Sequence, residues 1–305
     1  MSYNLKENVM KEDRLSGGHR MCAGCGSPIA VRTVLRALEP EDHAVVCSAT
    51  SCLEVSTFMY PYTAWKDSFI HNAFENAAAT ISGVETAYRA MKKRGKLDET
   101  WKFIAFGGDG GTYDIGFQSL SGAMERGHDM VYFCYDNEAY MNTGVQKSGM
   151  TPYGMKTTNT PAGSRIHGAQ TSKKRMFEIV AAHGIPYAAT ASVGYPEDYL
   201  AKVEKAMNTG GASYIHVMAP CPTGWGTASD LTVELGKEAV DCGLWYLAEY
   251  EDGEFKLNRD PKEFTSVEEY LKKQGRFSAM DDADIAQVVE ERNSAWARMR
   301  RDWKK

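Results

Sequence analysis

Four of the seven cysteines stand where chemistry can use them. Cys22-Ala23-Gly24-Cys25 places two thiolates two residues apart, close enough to share one metal ion or one cluster, and Gly24 and Gly26 free the backbone to turn around it. Alone, this pair fits zinc, a redox dithiol or an iron–sulfur centre. A zinc ribbon needs a second close pair, and none follows. A thioredoxin-like dithiol should follow an apolar strand, whereas the upstream segment is the polar Ser16-Gly17-Gly18-His19-Arg20. Two further cysteines lie in loop-like settings, Cys52 after Ala49-Thr50-Ser51 and Cys221 between Pro220 and Pro222. Together Cys22, Cys25, Cys52 and Cys221 form a chemically complete set for a 4Fe–4S cluster, although spacing by itself leaves zinc open. Cys47 and Cys134 fall inside strand patterns and Cys242 inside an amphipathic helix, so these three are read as small buried hydrophobes.

The second constellation begins where the apolar run 102–106 meets Gly107-Gly108-Asp109-Gly110-Gly111. Glycines after a strand let backbone N–H groups approach a phosphate, and the helix that follows offers its N-terminus to the anion. At the end of the next strand pattern comes Asp136-Asn137-Glu138-Ala139-Tyr140-Met141-Asn142-Thr143-Gly144, its Asn137 28 residues after Asp109. Adjacent strands would bring Asp109 and Asn137 to one point. A carboxylate, an amide oxygen, a carbonyl and two phosphate oxygens make the hard oxygen shell that Mg²⁺ prefers. This pairing is similar to the GDG…N signature of thiamin-diphosphate enzymes.

The elements that must position these residues alternate along the chain. Helical patterns are expected at 29–38, 74–93, 116–125, 176–182 and 197–207. Short apolar strands are expected at 44–47, 102–106, 130–135, 187–190 and 214–218. This order implies an α/β fold, a doubly wound and mostly parallel sheet with helices on both faces. Ligands in such sheets sit beyond the carboxyl ends of the strands, where the glycine, asparagine and cysteine loops would gather. Residues 147–174 are rich in Gly, Thr and Pro with little apolar periodicity, and a loop of that length points to function. The expected organisation is an N-terminal cluster-binding segment (1–26), an α/β cofactor domain (27–222) and a polar, acidic, helical C-terminal extension (223–305).

At 305 residues, 43% apolar and 25% charged, the chain has the composition of a globular protein with a substantial core. A net charge of −5 argues against nucleic acid, whose phosphates need clustered cations. The basic stretch 298–305 reads as a solvated helix end. With no apolar run of membrane-spanning length and a polar N-terminus, the cytoplasm is the expected compartment, where cysteines are thiols or metal ligands rather than disulfides.

With both constellations assembled, the chain resembles the beta subunit of pyruvate:ferredoxin oxidoreductase and related 2-oxoacid:ferredoxin oxidoreductases. The resemblance covers nearly the whole chain and rests on GHRMCAGCG, SATSC, HNAFENAAA, GGDGGTYDIG, DNEAYMNTGVQKSGMTP, AHGIPYAATAS, APCPTGW and EYLKKQGRF. It implies that Cys22, Cys25, Cys52 and Cys221 bind one 4Fe–4S cluster, with Cys52 also beside the cofactor. It implies that Asp109, Asn137 and the carbonyl of Ala139 hold Mg²⁺, and that Gly108, Gly110, Gly111 and Thr143 line the diphosphate of thiamin diphosphate. Asn142 is expected near the substrate carboxylate and the thiazolium carbon. Two positions depart from some relatives: Ser27 stands where a Glu can lie close to the cofactor, and Asn137 where others carry Thr.

The implied reaction is oxidative decarboxylation of a 2-oxoacid, most commonly pyruvate, to an acyl-CoA and CO₂, with electrons leaving one at a time through the cluster to ferredoxin. Branched-chain 2-oxoacids, oxalate and phenylglyoxylate are handled by close relatives. The glutamate that activates thiamin belongs to a pyrimidine-binding domain for which this chain has no room. It is therefore expected on an alpha subunit, with gamma and ferredoxin-like delta subunits or their equivalents completing the enzyme. His71 is expected at the start of the long helix, as a capping or cleft-lining residue, and His19 at the surface. Two rival readings are a non-oxidative thiamin-dependent decarboxylase and a zinc-bearing scaffold subunit.

Overall fold

The structure, a computed structural model, describes residues 5–303. After a short helix α1 (Leu5–Met10), the chain forms α2 (Gly26–Arg36) and enters the sheet at β1 (His43–Ser48). Helix α3 (Cys52–Thr57), a hairpin of β2 (Phe58–Met59) and β3 (Tyr62–Thr63), and β4 (Ser68–His71) follow. Then come α4 (Ala77–Lys93), β5 (Trp101–Gly108), a π-helical turn (Gly111–Ile115), α5 (Phe117–Glu125) and β6 (Met130–Asp136). Beyond the long loop lie α6 (Met176–Ala181), β7 (Tyr187–Ser192), α7 (Pro196–Asn208) and β8 (Ala212–Met218). The chain closes with α8 (Pro222–Trp225), α9 (Thr232–Asp241), β9 (Ala248–Glu251), β10 (Glu254–Leu257), α10 (Val267–Lys272), a 3₁₀ turn (Gly275–Phe277) and α11 (Asp282–Asp302).

Eight strands form one sheet in the order β10-β9-β7-β8-β6-β5-β1-β4. The six from β4 to β7 in this order run parallel. All seven residues of β6 and of β8 are buried, as expected for strands covered on both faces, and their apolar runs give no alternation. Each face carries its own core. One is built on Val31, Val34, Leu53 and Tyr199 against Val46 and Phe133; the other on Ile81, Leu120 and Met124 against Phe103 and Tyr132. The expected α/β architecture is therefore the one observed.

Several expected boundaries move. The long helix begins at Ala77 rather than at 74, because Phe74-Glu75-Asn76 forms a turn whose backbone reaches the glycine loop. Strand β5 runs through Gly107 and Gly108 instead of stopping at 106, and the helical turns begin immediately, well before 116. His71 ends an edge strand rather than opening a helix.

The C-terminal extension is not purely helical. Strands β9 and β10 form a hairpin that adds to the sheet antiparallel to β7. Its two-residue turn is Asp252-Gly253, both with positive φ (52° and 85°), the strongest short hairpin signal a sequence carries. Ala248 and Tyr250 point inward while Glu251 faces solvent. The basic end also departs from a solvated helix tip: Arg298 pairs with Glu178, Arg300 with Asp260, and Trp303 is buried against Phe177, Tyr246 and Phe255. Lys304 and Lys305 lie outside the described residues. No helix among the described residues is long and apolar enough to cross a membrane.

Candidate functional site

The parallel sheet reverses its winding between β1 and β5: from β1 the chain adds β4 on one side, then crosses to β5 on the other. At such a switch point the loops leaving neighbouring strands diverge and leave a crevice. The cleft there is lined by Thr50, Ser51 and Cys52 after β1, Gly108 to Gly111 at the end of β5, and Asn137 and Ala139 to Thr143 after β6. A larger cavity, about 670 Å³, lies elsewhere beneath α11 and is bordered by Trp245 and Trp296.

Register brings the two halves of the metal signature together. Gly108 pairs with Tyr135 across β5 and β6, so Asp109 and Asn137 emerge side by side. Asp109 is 1% exposed and accepts a hydrogen bond at Oδ2 from the Ser148 hydroxyl. Burial, and then the neighbouring Asp136 carboxylate, hold its carboxyl well above the usual range. Among the described residues no Lys, Arg or His pairs with it.

One end of the Asn137 carboxamide faces both Asp109 Oδ1 (3.2 Å) and the Ala139 carbonyl oxygen (2.9 Å). With its nitrogen at that end, the amide donates to both. With its oxygen there, three oxygens converge without a hydrogen between them. Neighbouring oxygens of an octahedral Mg²⁺ shell, at ~2.0–2.1 Å from the ion, are ~2.9 Å apart. The spacing therefore fits a small hard cation.

The glycine side of the cleft is distinguished by what a methyl group would meet. A Cβ on Gly110 would lie 2.3 Å from the Tyr140 ring, and one on Gly111 would lie 3.0 Å from the Phe74 carbonyl. Packing against Tyr140 disfavours any side chain at Gly110, and at Gly111 the Phe74 carbonyl would have to give by a few tenths of an ångström. At Gly108 the nearest atom to an added Cβ is 3.6 Å away, so the protein leaves room there, on the wall of the cleft. The Tyr140 hydroxyl closes the floor by donating to the Gly110 carbonyl at 2.9 Å. Asn142 and Thr143 are exposed on the rim, and Thr143 donates to Gln146.

The turn carrying Asn137 and Ala139 is held from below. Asp136 Oδ1 accepts from the Glu138 N–H at 2.8 Å, and Glu138 itself adopts the left-handed conformation with φ 71°. The Glu138 carboxylate is buried between Lys173 and Arg276. Burial would raise its carboxyl, but these two cations outweigh that and hold it below the ordinary value. On its other oxygen Asp136 meets His216 Nε2 at 2.6 Å, and the Tyr113 hydroxyl lies within hydrogen-bond distance of the same imidazole. Thr151 donates to the Glu138 carbonyl at 2.8 Å.

The four singled-out cysteines gather beside this cleft. Cys25 caps α2, and its N–H donates to the Cys22 carbonyl at 3.1 Å. Cys52 opens α3 and Cys221 caps α8. The Gly26 N–H donates to the Pro220 carbonyl at 3.0 Å, and Thr232 donates to the Gly24 carbonyl, which ties the first pair to the last cysteine. A Cβ at Gly26 would lie 2.7 Å from the Ala219 backbone, so the close approach requires glycine. Burial, then the nearby Cys221, Cys25 and Cys22, push the Cys52 thiol up to about 12; Cys221 is pushed to about 11 by burial and by the same neighbours. Asp109 also acts on Cys52, placing the thiols next to the oxygen cluster. Cys47 and Cys242 are fully buried elsewhere, each pushed to about 12 by burial, and Cys134 lies within β6.

Other residues stand apart from expectation. His71 meets Glu54 at 2.6 Å and stacks on Phe58. His19 is half-buried, and burial holds its imidazole below the ordinary value. Ser27 is completely buried in the first turn of α2. Sequence reasoning did not single out Ser148, Lys173, Trp225 or Arg276. Ser148, Trp225 and Arg276 fall inside the motifs that carry the resemblance and Lys173 does not, but nothing local marks which of these side chains would point inward.

Comparison with known proteins adds to this geometry. Residues 21–217 match the family model described as thiamine pyrophosphate enzyme, C-terminal TPP binding domain. The chain is 51% identical to pyruvate synthase subunit PorB of Thermotoga maritima, covering 95% of this chain and 92% of that one. It is 51% identical to the subunit of the same name from Methanocaldococcus jannaschii, over 91% and 93%. Ketoisovalerate oxidoreductase subunit VorB of Pyrococcus furiosus is 43% identical over 98% and 96%. Among solved structures, 2-oxoglutarate:ferredoxin oxidoreductase from Magnetococcus marinus matches with a TM-score of 0.58 at 21% identity, covering 69% and 67%, which shows a common fold.

Proposed function

This chain belongs to the thiamine pyrophosphate-binding subunits of the 2-oxoacid:ferredoxin oxidoreductase family, as a beta subunit, and from that premise we propose that its cleft binds thiamin diphosphate through Mg²⁺ beside one 4Fe–4S cluster. The observation that carries the reading is the convergence of Asp109, Asn137 and the Ala139 carbonyl, beside a Cys52 thiol on which Cys22, Cys25 and Cys221 all act.

Asp109, Asn137 and Ala139 would supply three oxygens to Mg²⁺, and its charge would offset a carboxylate that the protein leaves buried without a cation. Gly108 would admit the diphosphate against the backbone, and the helical turn that begins at Gly110 and Gly111 would offer its N–H groups to the anion. Thr143 and Asn142, exposed on the rim, would reach the diphosphate and the substrate carboxylate respectively. Ser148, which donates to Asp109 Oδ2, would orient that carboxylate. Cys22, Cys25, Cys52 and Cys221 would ligate the cluster, and the Gly224 N–H, 3.3 Å from the Cys221 sulfur, would help carry thiolate charge. When bound, thiamin diphosphate supplies a carbon nucleophile and electron sink for a 2-oxo group, and the cluster a one-electron exit.

The activating glutamate would come from an alpha subunit, so the site is complete only in the heteromer, together with gamma and ferredoxin-like delta subunits or their equivalents. Pyruvate is the favoured substrate, because the PorB relatives are more similar than the VorB relatives, 51% against 43%. CoA and ferredoxin are the expected co-substrates, in the cytoplasm. The test is to purify the complex without oxygen and screen 2-oxoacids for CoA-dependent ferredoxin reduction. Fastest turnover with pyruvate, and about four irons and four sulfides on this chain, is expected. Stoichiometric zinc in place of iron, or CO₂ release without ferredoxin reduction, would overturn the reading.

A further inference from the structure

The C-terminal segment reaches the site through one side chain. Arg276, in the 3₁₀ turn Gly275–Phe277, is 4% exposed. Its guanidinium carbon lies 3.6 Å from the centre of the Trp225 ring. Its Nη2 lies 2.6 Å from Glu138 Oε2, and its Nε donates to Gln274 Oε1 at 2.9 Å. Trp225 in turn donates from Nε1 to the Asn137 carbonyl at 2.9 Å, and its backbone N–H donates to the Cys221 carbonyl at 2.8 Å. One guanidinium thus bears on two turns, one carrying a cluster cysteine and the other carrying two oxygens of the metal shell.

We propose that Arg276 is a positioning residue that fixes the Asn137-Glu138-Ala139 turn and the Cys221 turn relative to one another. The proposal rests on the reading of those turns as metal and cluster sites. Glu138 sits between Asn137 and Ala139 in a left-handed conformation that a residue with a side chain adopts only when its surroundings enforce it. Its buried carboxylate is the handle: Lys173 from the long loop takes Oε1, and Arg276 from the C-terminal segment takes Oε2. A planar guanidinium can stack on the indole and pair with the carboxylate at once, which an ammonium cannot do. The indole then carries the constraint to Asn137 by its N–H and to Cys221 by its backbone. Outer partners of this kind tune metal affinity by about ten- to a hundredfold.

The test uses the complete heteromeric complex, purified without oxygen, carrying Arg276→Met, Arg276→Lys or Trp225→Phe. Arg276→Met is expected to weaken Mg²⁺-dependent thiamin diphosphate binding by about tenfold or more, with iron content retained and the electron paramagnetic resonance spectrum of the reduced cluster altered. Arg276→Lys, which keeps the charge and loses the stack, should fall between this variant and the parent. Trp225→Phe removes the indole donor together with part of a fully buried ring, so it should weaken cofactor binding and also lower the unfolding temperature; its cofactor affinity decides the matter if Arg276→Met fails to assemble. Variants that bind Mg²⁺ and thiamin diphosphate with parental affinity overturn the proposal, even where they unfold at lower temperature. A parent complex that binds no thiamin diphosphate overturns instead the functional reading on which the proposal rests.

Discussion

The carboxylate of Asp109 lies wholly buried beside that of Asp136, and only Asp136 has a basic partner, His216 at 2.6 Å. Two buried carboxylates in proximity cannot both stay ionised without a counter-charge. Without a cation between the β5 and β6 loops the Asp109 carboxyl is held toward its protonated form, and a cation there would favour the carboxylate.

Asp109→Asn should separate binding from stability. Without Mg²⁺ or cofactor, the variant is expected to unfold at a temperature no lower than the parent, because an uncompensated buried acid has been neutralised. Mg²⁺-dependent thiamin diphosphate affinity should fall by about a hundredfold or more, and iron should stay. Calorimetry of both forms, with metal titration, checks this; parental affinity in the variant would dismiss the metal site.

Two adjacent glycines should behave differently. Gly108→Ala finds ordinary contact distances and is expected to fold, while its methyl group occupies the cleft wall and weakens cofactor binding. Gly110→Ala drives a methyl into Tyr140 and should cost stability itself, by about 1–3 kcal/mol. Thermal unfolding measured alongside cofactor titration separates the two, and equal effects on both readouts would contradict the assignment.

The cysteines should divide cleanly. Serine at position 22, 25, 52 or 221 is expected to reduce the iron of this chain from about four atoms toward none, and Cys22→Ser, away from the cleft lining, to spare thiamin diphosphate binding. Cys47→Ser should keep its iron, since that thiol is buried in β1 apart from the other four. Colorimetric iron analysis after anaerobic purification reads this directly, and full iron in Cys22→Ser would remove it from the ligand set.

A pH dependence follows from the edge hairpin. Burial raises the Glu249 carboxyl, but hydrogen bonds from Asn258, Tyr187 and Lys205, and the charge of Lys205, more than offset it, so the folded-state value is lowered. Its contribution is therefore complete above the ordinary carboxylate pKa of about 4.3 and fades as the pH falls through the lower folded value. Partial exposure limits it to about 1 kcal/mol or less. Glu249→Gln should be less stable than the parent at neutral pH, and the difference should shrink in acid; a gap constant from about pH 7 to 3 would show that the lowered carboxyl contributes nothing.

Much of the site was legible in the order of residues. The apolar runs of β5 and β6 end at Gly107-Gly108-Asp109 and Asp136-Asn137, and parallel pairing brings those ends together without further information. The CxxC pair was equally visible, because turn glycines and polar flanks are local properties. The Asp252-Gly253 hairpin carried a clear local signal too, but it lay inside an acidic stretch whose charge suggested helix and solvent.

What the sequence by itself determined was the set of chemical groups and the edge of the sheet on which they would meet, since strand type and loop composition are short-range properties. Only the tertiary structure decided which groups support them. Arg276 lies 139 positions from Asn137, and Ser148 lies 39 from Asp109, separations at which periodicity carries no information. Contacts between them are chosen by burial, because a guanidinium and a carboxylate can leave water only together, and the packed fold determines where that exchange occurs.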